Sequence, residues 1–146
     1  MASTQETLLT SIRRQVHAFE ALRQLLAGQL GIGVTEFVAL GHLYDSGPVT
    51  AREIGQQLQL TSGSVTALLH RLEALEYAER SENPDDKRSV LVEISAAGVE
   101  AWEWVVLQTA APIARAVRHS ELTTKEAIRF FDLFAEQMEM LGEQLA

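Results

Sequence analysis

Between residues 62 and 94 the spacing of apolar side chains changes period, and few folds accommodate that change in so short a span. Val65, Leu68, Leu69, Leu72 and Leu75 recur at steps of three and four, which puts them on one face of an α-helix. Residues 89–94, Ser-Val-Leu-Val-Glu-Ile, are β-branched and alternate, as a half-buried strand does. Asn83, Pro84, Asp85, Asp86, Lys87 and Arg88 between them form a charged, turn-rich tip, and residues 78–81 supply the partner strand. Upstream, Thr50 with Glu53 makes a capping box that starts a helix over residues 51–58, and Thr61 caps the next helix. Two helices separated by so short a turn form a helix-turn-helix, and a hairpin directly after it makes a winged helix.

The flanks are helical and apolar. Ile12, Val16, Phe19, Leu22, Leu26 and Leu30 mark one face of a long helix over residues 6–30, broken by Gly31, Ile32 and Gly33. A short buried helix over residues 37–43 follows Thr35 and stops at Asp45, Ser46, Gly47 and Pro48. From Ser95 the helical period returns and runs to about Arg118, with Trp102, Val106, Ile113 and Val117 on one face and a kink or break expected at Pro112. Trp102 and Trp104 fall on opposite sides of this helix, so at least one belongs to the core. Thr123 and Glu126 form a second capping box, after which Ala127, Phe131, Phe134, Met138, Leu141 and Leu145 repeat at heptad spacing. The first and last helices together carry more apolar surface than one winged helix can cover, which predicts a homodimer. Its contacts are expected from Ile12, Val16, Phe19, Phe131, Phe134, Met138, Leu141 and Leu145.

Charge restricts the function. The 146 residues carry 12 Lys and Arg against 20 Asp and Glu, a net charge of −8, so the chain as a whole repels nucleic acid and acidic membranes. Any nucleic-acid site must therefore be local. The absence of cysteine excludes a disulfide framework and thiolate chemistry, and it fits a reducing compartment, here expected to be the cytoplasm. The N-terminus has no basic and apolar leader pattern, and no apolar run is long enough to span a bilayer, so no membrane partner is expected. His17, His42, His70 and His119 are scattered with no i, i+4 pair, so no metal site is expected. A Gly-rich phosphate loop, a Gly-x-Ser-x-Gly elbow and a His-Glu-x-x-His pair are all missing. Neither catalytic residues nor a cofactor are expected.

The stretch Leu58-Gln59-Leu60-Thr61-Ser62-Gly63-Ser64-Val65-Thr66, then Arg71-Leu72-Glu73, Glu79-Arg80, residues 83–88 and Ile94-Ser95-Ala96-Ala97-Gly98 resemble the multiple-antibiotic-resistance regulator (MarR) family. These are bacterial winged-helix transcription factors that act as homodimers. The family's wing usually reads Asp-Pro, any residue, Asp-Arg-Arg, and Asn83 and Lys87 here replace the first Asp and the first Arg. Two further departures stand out. Ala67 follows Thr66 where many members have arginine, and Glu76 occupies the place where the family tends to end the recognition helix with glycine. A left-handed residue there costs on the order of 1 kcal/mol in a non-glycine, unless the helix ends differently.

The resemblance implies one 146-residue domain that is mainly α with a small β-hairpin wing. Residues 35–98 form its winged helix-turn-helix, and residues 6–30 and 99–146 its dimerisation helices. The expected partner is double-stranded DNA carrying a pseudo-palindromic operator. Contacts are expected from Thr61, Ser62, Gly63, Ser64, Thr66, His70 and Arg71 on the recognition helix, with Arg71 either a phosphate contact or a structural ion pair. Asp86, Lys87 and Arg88 are the expected wing contacts, Arg88 entering a minor groove with Asp86 holding its guanidinium extended. His17 and His42 lie on the first two helices, where the family often builds an effector pocket. The reading is a transcriptional repressor released by a small-molecule effector, against a winged helix used only for protein contacts.

Overall fold

The computed structural model describes residues 3–84, 86 and 89–145. By internal contacts the chain divides into two compact units, Met1–Val105 and Val106–Ala146.

In the first unit, α1 (Thr4–Gln29) begins at a capping box in which Ser3 Oγ accepts from the Glu6 N–H at 3.2 Å while Glu6 Oε2 accepts from the Ser3 N–H at 2.6 Å. It ends on left-handed Gly31, whose N–H donates to Gly28 O while that of Ile32 donates to Ala27 O. This pair of bonds is a Schellman closure. α2 (Val34–Ser46) is longer than the apolar run 37–43 suggests, because its first turn is polar and buries Glu36. After left-handed Gly47 the chain extends as β1 (Val49–Thr50) and enters α3 (Ala51–Gln57) through the expected box. Thr50 Oγ1 accepts from the Glu53 N–H at 3.2 Å, and Glu53 Oε2 accepts from the Thr50 N–H at 2.6 Å. α4 (Ser62–Ala74) follows Thr61, which caps it as predicted by accepting from the Ser64 N–H at 3.3 Å.

β2 (Ala78–Glu82) and β3 (Val90–Ile94) form the hairpin, paired antiparallel from Ala78 opposite Ile94 to Glu82 opposite Val90. The wing is more than a hairpin. β1 adds to the free side of β3, with Val49 opposite Val92 and Thr50 opposite Leu91, giving the order β1-β3-β2. A strand of two residues carries no readable period, so only the fold reveals it. α5 (Ala96–His119) starts behind Ser95, whose Oγ accepts from the Gly98 N–H at 3.0 Å.

Four of the five residues of the predicted α4 stripe are the centre of the core; the fifth, Leu75, is the C-cap and stands 42% exposed because the helix ends before it can face inward. Leu68, Leu69 and Leu72 are essentially inaccessible, and with Val65 they pack on Ala39 and Leu43 of α2, Ile54 of α3, Ala78 of β2 and Val92 of β3. Each such leucine contributes about 1.5–3 kcal/mol by leaving water. A second cluster joins Leu26, Ala27, Phe37 and Val105, with Trp102 and Trp104 both half-buried against it. The Trp102 ring lies 5.0 Å from Phe37 and 6.3 Å from Tyr44. Gly41 makes room for it, since a Cβ there would come within 2.5 Å of the indole.

In the second unit α5 continues to His119 as one helix with Pro112 inside it, so of the kink or break expected there the break does not occur. α6 (Thr124–Leu145) opens on the second expected box, where Thr123 Oγ1 accepts from the Glu126 N–H at 3.2 Å and Glu126 Oε2 accepts from the Thr123 N–H at 2.8 Å. Ala127 is buried, whereas Phe131, Met138 and Leu141 stand 46–49% exposed and Leu145 79%. The heptad face is open within this unit, and Ile128, Phe130, Leu133 and Met140 widen it beyond the predicted stripe. Phe130 stacks on Phe134 at 6.3 Å and meets Phe131 edge-on at 5.5 Å. In the first unit Val16 and Phe19 are likewise about half exposed and Ile12 is partly buried.

Candidate nucleic-acid interface

The stripe that buries one side of α4 leaves the other side to solvent. Thr61, Ser62, Gly63, Ser64, Thr66, Ala67, His70 and Arg71 are all exposed, and the first turn contains no acidic residue. The hydroxyls are ordered by the helix itself. Thr61 Oγ1 and Ser64 Oγ share a hydrogen bond of 2.9 Å, and the Thr66 hydroxyl donates to Ser62 O at 2.9 Å. At Gly63 a Cβ would meet nothing within 4 Å, so its lack of a side chain serves open space rather than packing. Short hydroxyls and backbone amides at a helix start suit phosphate oxygens and base edges.

Both helices of the helix-turn-helix end alike. Glu76 is left-handed at φ 58°; its N–H donates to Glu73 O at 2.9 Å and that of Tyr77 to Leu72 O at 2.9 Å. This is a Schellman closure made without glycine, so of the two endings open to Glu76 the chain takes the strained one. Ser95 anchors it from across the fold: its hydroxyl donates to Glu76 O and its N–H donates to Tyr77 O at 3.2 Å. Gln59 closes α3 in the same way at φ 53°, with Gln59 N–H on Gln56 O and Leu60 N–H on Gly55 O. Sequence gives no warning of Gln59, because no glycine or asparagine marks the spot.

Two cations of the region are committed to carboxylates. Arg71 donates through Nε to Glu36 Oε1 at 2.5 Å, and its Nη2 joins the same oxygen. Of the two readings open for Arg71, its geometry is that of an ion pair linking α4 to α2. Glu73 accepts from Arg80 of β2 through Nε, and through Nη2 at 3.3 Å, while its Oε2 lies 3.4 Å from His70 Nδ1. Arg80 thus ties the wing to the recognition helix, a role not foreseen from sequence.

At the wing tip Asn83 Nδ2 donates to Ser89 Oγ at 2.7 Å, and the Ser89 N–H donates to Asp86 O at 2.9 Å. Lys87 and Arg88, the expected wing contacts, lie outside the described residues, as does Asp85, so the expected Asp86 to Arg88 interaction falls there too. A groove between α3 and α4 runs beside the exposed helix face, walled by Arg52 and Gln56 on one side and Ser62 and Thr66 on the other. Arg52 was not singled out by the sequence.

The two histidines expected near an effector pocket are placed apart in kind. His17 is 79% exposed on α1 with Nδ1 3.6 Å from Glu20 Oε2. His42 is half-buried, contacts Ser46 Oγ at 3.2 Å, and lines a shallow groove with Val49, Glu53, Gln56 and Gln57. That groove's walls come from α2, β1 and α3 and include nothing from α1. Beside it, hydrogen bonds from the Thr50 N–H and then its hydroxyl hold the Glu53 carboxyl below the usual carboxylate range, with a smaller pull from His42. Among the described residues no group of three or more His, Asp or Glu is placed to hold a metal ion, and no single helix is long and apolar enough to cross a membrane.

A model of the MarR family matches residues 30–89. The chain is 38% identical over 86 residues to the uncharacterized HTH-type transcriptional regulator YkoM of Bacillus subtilis, covering 59% of this chain and 56% of that protein. It is 41% identical over 69 residues to another such regulator of the same organism, YcgE, covering 47% and 45%. The chain therefore spans about half the length of these curated relatives in the match. Among solved structures, a MepR mutant of S. aureus bound to an oligodeoxyribonucleotide superposes with a TM-score of 0.62 at 21% identity, over 96% of this chain and 99% of that one. That likeness shows the winged-helix fold.

Proposed function

We propose, from the match of residues 30–89 to the MarR family, that the chain is a member of that family and a homodimeric, sequence-specific, DNA-binding transcriptional regulator, a repressor released when a small-molecule effector binds. The observation that carries this reading is the outer face of α4. Its hydroxyl-rich first turns stand in solvent while its leucines fill the core, and a three-stranded wing follows it directly. In such an arrangement the second helix lies in a major groove and the hairpin reaches the neighbouring minor groove. The proposed DNA contacts are Thr61, Ser62, Gly63, Ser64, Thr66 and His70 on α4, with Asp86, Lys87 and Arg88 on the wing. Arg71 acts through its pair with Glu36, setting the angle of α4 on α2. The MepR structure bound to an oligodeoxyribonucleotide supports DNA as the partner.

In this reading the 146 residues act as one domain, with residues 35–98 on the operator and residues 6–30 and 99–146 forming the dimer through Ile12, Val16, Phe19, Phe131, Phe134, Met138, Leu141 and Leu145. The open apolar faces of α1 and α6 support it, since each large side chain buried there contributes about 1.5–3 kcal/mol. Release follows if the effector favours a dimer whose recognition helices no longer match successive major-groove faces, about 34 Å apart. His17 and His42 are the proposed effector-side residues, and the cytoplasm is the proposed compartment. The curated relatives are named as regulators of transcription rather than enzymes, and catalysis plays no part.

Selection of bound duplexes from a random pool tests the reading. Enrichment of a palindromic sequence is expected; recovery of DNA without any preference favours a winged helix used for protein contacts.

A further inference from the structure

We infer that Arg52, on the first helix of the helix-turn-helix, holds a DNA phosphate at the α3–α4 groove; this rests on the DNA-binding reading above and adds a contact to it. The inference begins from how the region's positive charge is distributed. Residues 35–98 contain five Lys and Arg, namely Arg52, Arg71, Arg80, Lys87 and Arg88. Arg71 is joined to Glu36 and Arg80 to Glu73, so their charges are largely cancelled before any DNA arrives. Lys87 and Arg88 lie outside the described residues. Arg52 is exposed and has no carboxylate partner among the described residues.

Its position suits a backbone oxygen. The groove it walls carries the Ser62 and Thr66 side chains on the opposite side, on the same face of α4 that is offered to DNA. Gly55 allows this closeness: a Cβ there would sit 3.2 Å from Val65 and 3.3 Å from Leu60 O. The adjacent carboxylate, Glu53, is turned back onto Thr50 by two hydrogen bonds of 2.6 and 2.7 Å, so it does not neutralise the guanidinium. A planar guanidinium then meets phosphate oxygens as a fork, with hydroxyl donors nearby, while α4 occupies the major groove.

The test uses the full chain, a labelled random-sequence duplex and the sequence recovered by selection, titrated over a range of salt concentrations. Arg52→Gln should weaken binding several-fold at low salt and reduce the slope of log affinity against log salt by about 0.9 per bound chain, because one counterion fewer is released. Arg52→Lys should restore the slope. The preferred sequence and the thermal midpoint should be those of the unmodified chain. An unchanged slope for Arg52→Gln, or an altered base preference, overturns the phosphate contact. If the unmodified chain binds no duplex at all, it is the DNA-binding reading that fails, a result distinct from either.

Discussion

Arg71 and Glu36 are joined across 35 residues of sequence, the Arg71 Nε donating to Glu36 Oε1 at 2.5 Å. The carboxylate side chain is 6% exposed and the guanidinium side chain 59%. A buried carboxylate that loses its partner retains its desolvation cost, so Arg71→Ala should destabilise the fold by about 1–3 kcal/mol. Adding Glu36→Gln should recover part of that loss, because the stranded charge is gone. Urea unfolding of the two single variants and the double variant measures the coupling; additive losses would remove the pair from the stability of α2 and α4.

Glu76 pays for its left-handed backbone, so Glu76→Gly should stabilise by about 0.5–1 kcal/mol once the extra freedom of glycine in the unfolded chain is subtracted. Gln59→Gly should do the same at the end of α3. The two sites close different helices and should add. A fall in thermal midpoint for either variant would contradict the cap geometry.

Two glycines separate a yielding neighbour from a rigid one. At Gly98 a Cβ would strike the backbone oxygen of Tyr77, which Ser95 also uses, whereas at Gly41 it would strike the edge of the Trp102 ring. Gly41→Ala should cost about 1–3 kcal/mol and change the tryptophan emission as the ring moves. Gly98→Ala should cost more, since the main chain at the end of α4 must shift. Equal and small losses on denaturation would show that this junction is loosely packed.

Glu53 has its folded-state pKa lowered by hydrogen bonds from Thr50. A lowered value means that its contribution is fully present above the unfolded-state pKa and is lost as pH falls through the folded-state one. Glu53→Ala should therefore be less stable than the unmodified chain near neutral pH, with the gap closing in acid. Glu126, lowered first by the Thr123 hydroxyl and then by its N–H, should behave alike in α6. Denaturation midpoints followed against pH check both, and a gap that widens in acid would reverse the assigned sign.

The exposed face of α6 bears on assembly. Phe131→Glu and Leu141→Lys place charge where Phe131 and Leu141 stand 49% and 46% exposed, so each chain should still fold. The proposed dimer should dissociate and operator binding should fall with it. Sedimentation of the unmodified protein as a monomer at micromolar concentration would sink the dimer.

Features settled within three or four residues were legible in the sequence. The Thr50–Glu53 and Thr123–Glu126 boxes, the Thr61 cap and the stripe from Val65 to Leu72 appear as expected, because cap and helix-face partners are near neighbours along the chain, whereas Leu75 falls at the helix end and stays exposed. The hairpin followed for the same reason: alternation and a turn-rich tip are local signals. Features whose partners lie far apart in sequence needed the fold. Whether Arg71 faced a phosphate or a carboxylate depended on where α2 put Glu36, and the strain at Glu76 depended on Ser95, 19 residues away, donating to its carbonyl. β1 is a strand only because β3 offers it an edge, and Arg80 is a clamp only because the wing packs beside Glu73. Spacing along a chain encodes which bonds a helix or hairpin makes with itself; which distant charge or backbone group meets it is set by how those elements pack around a shared core.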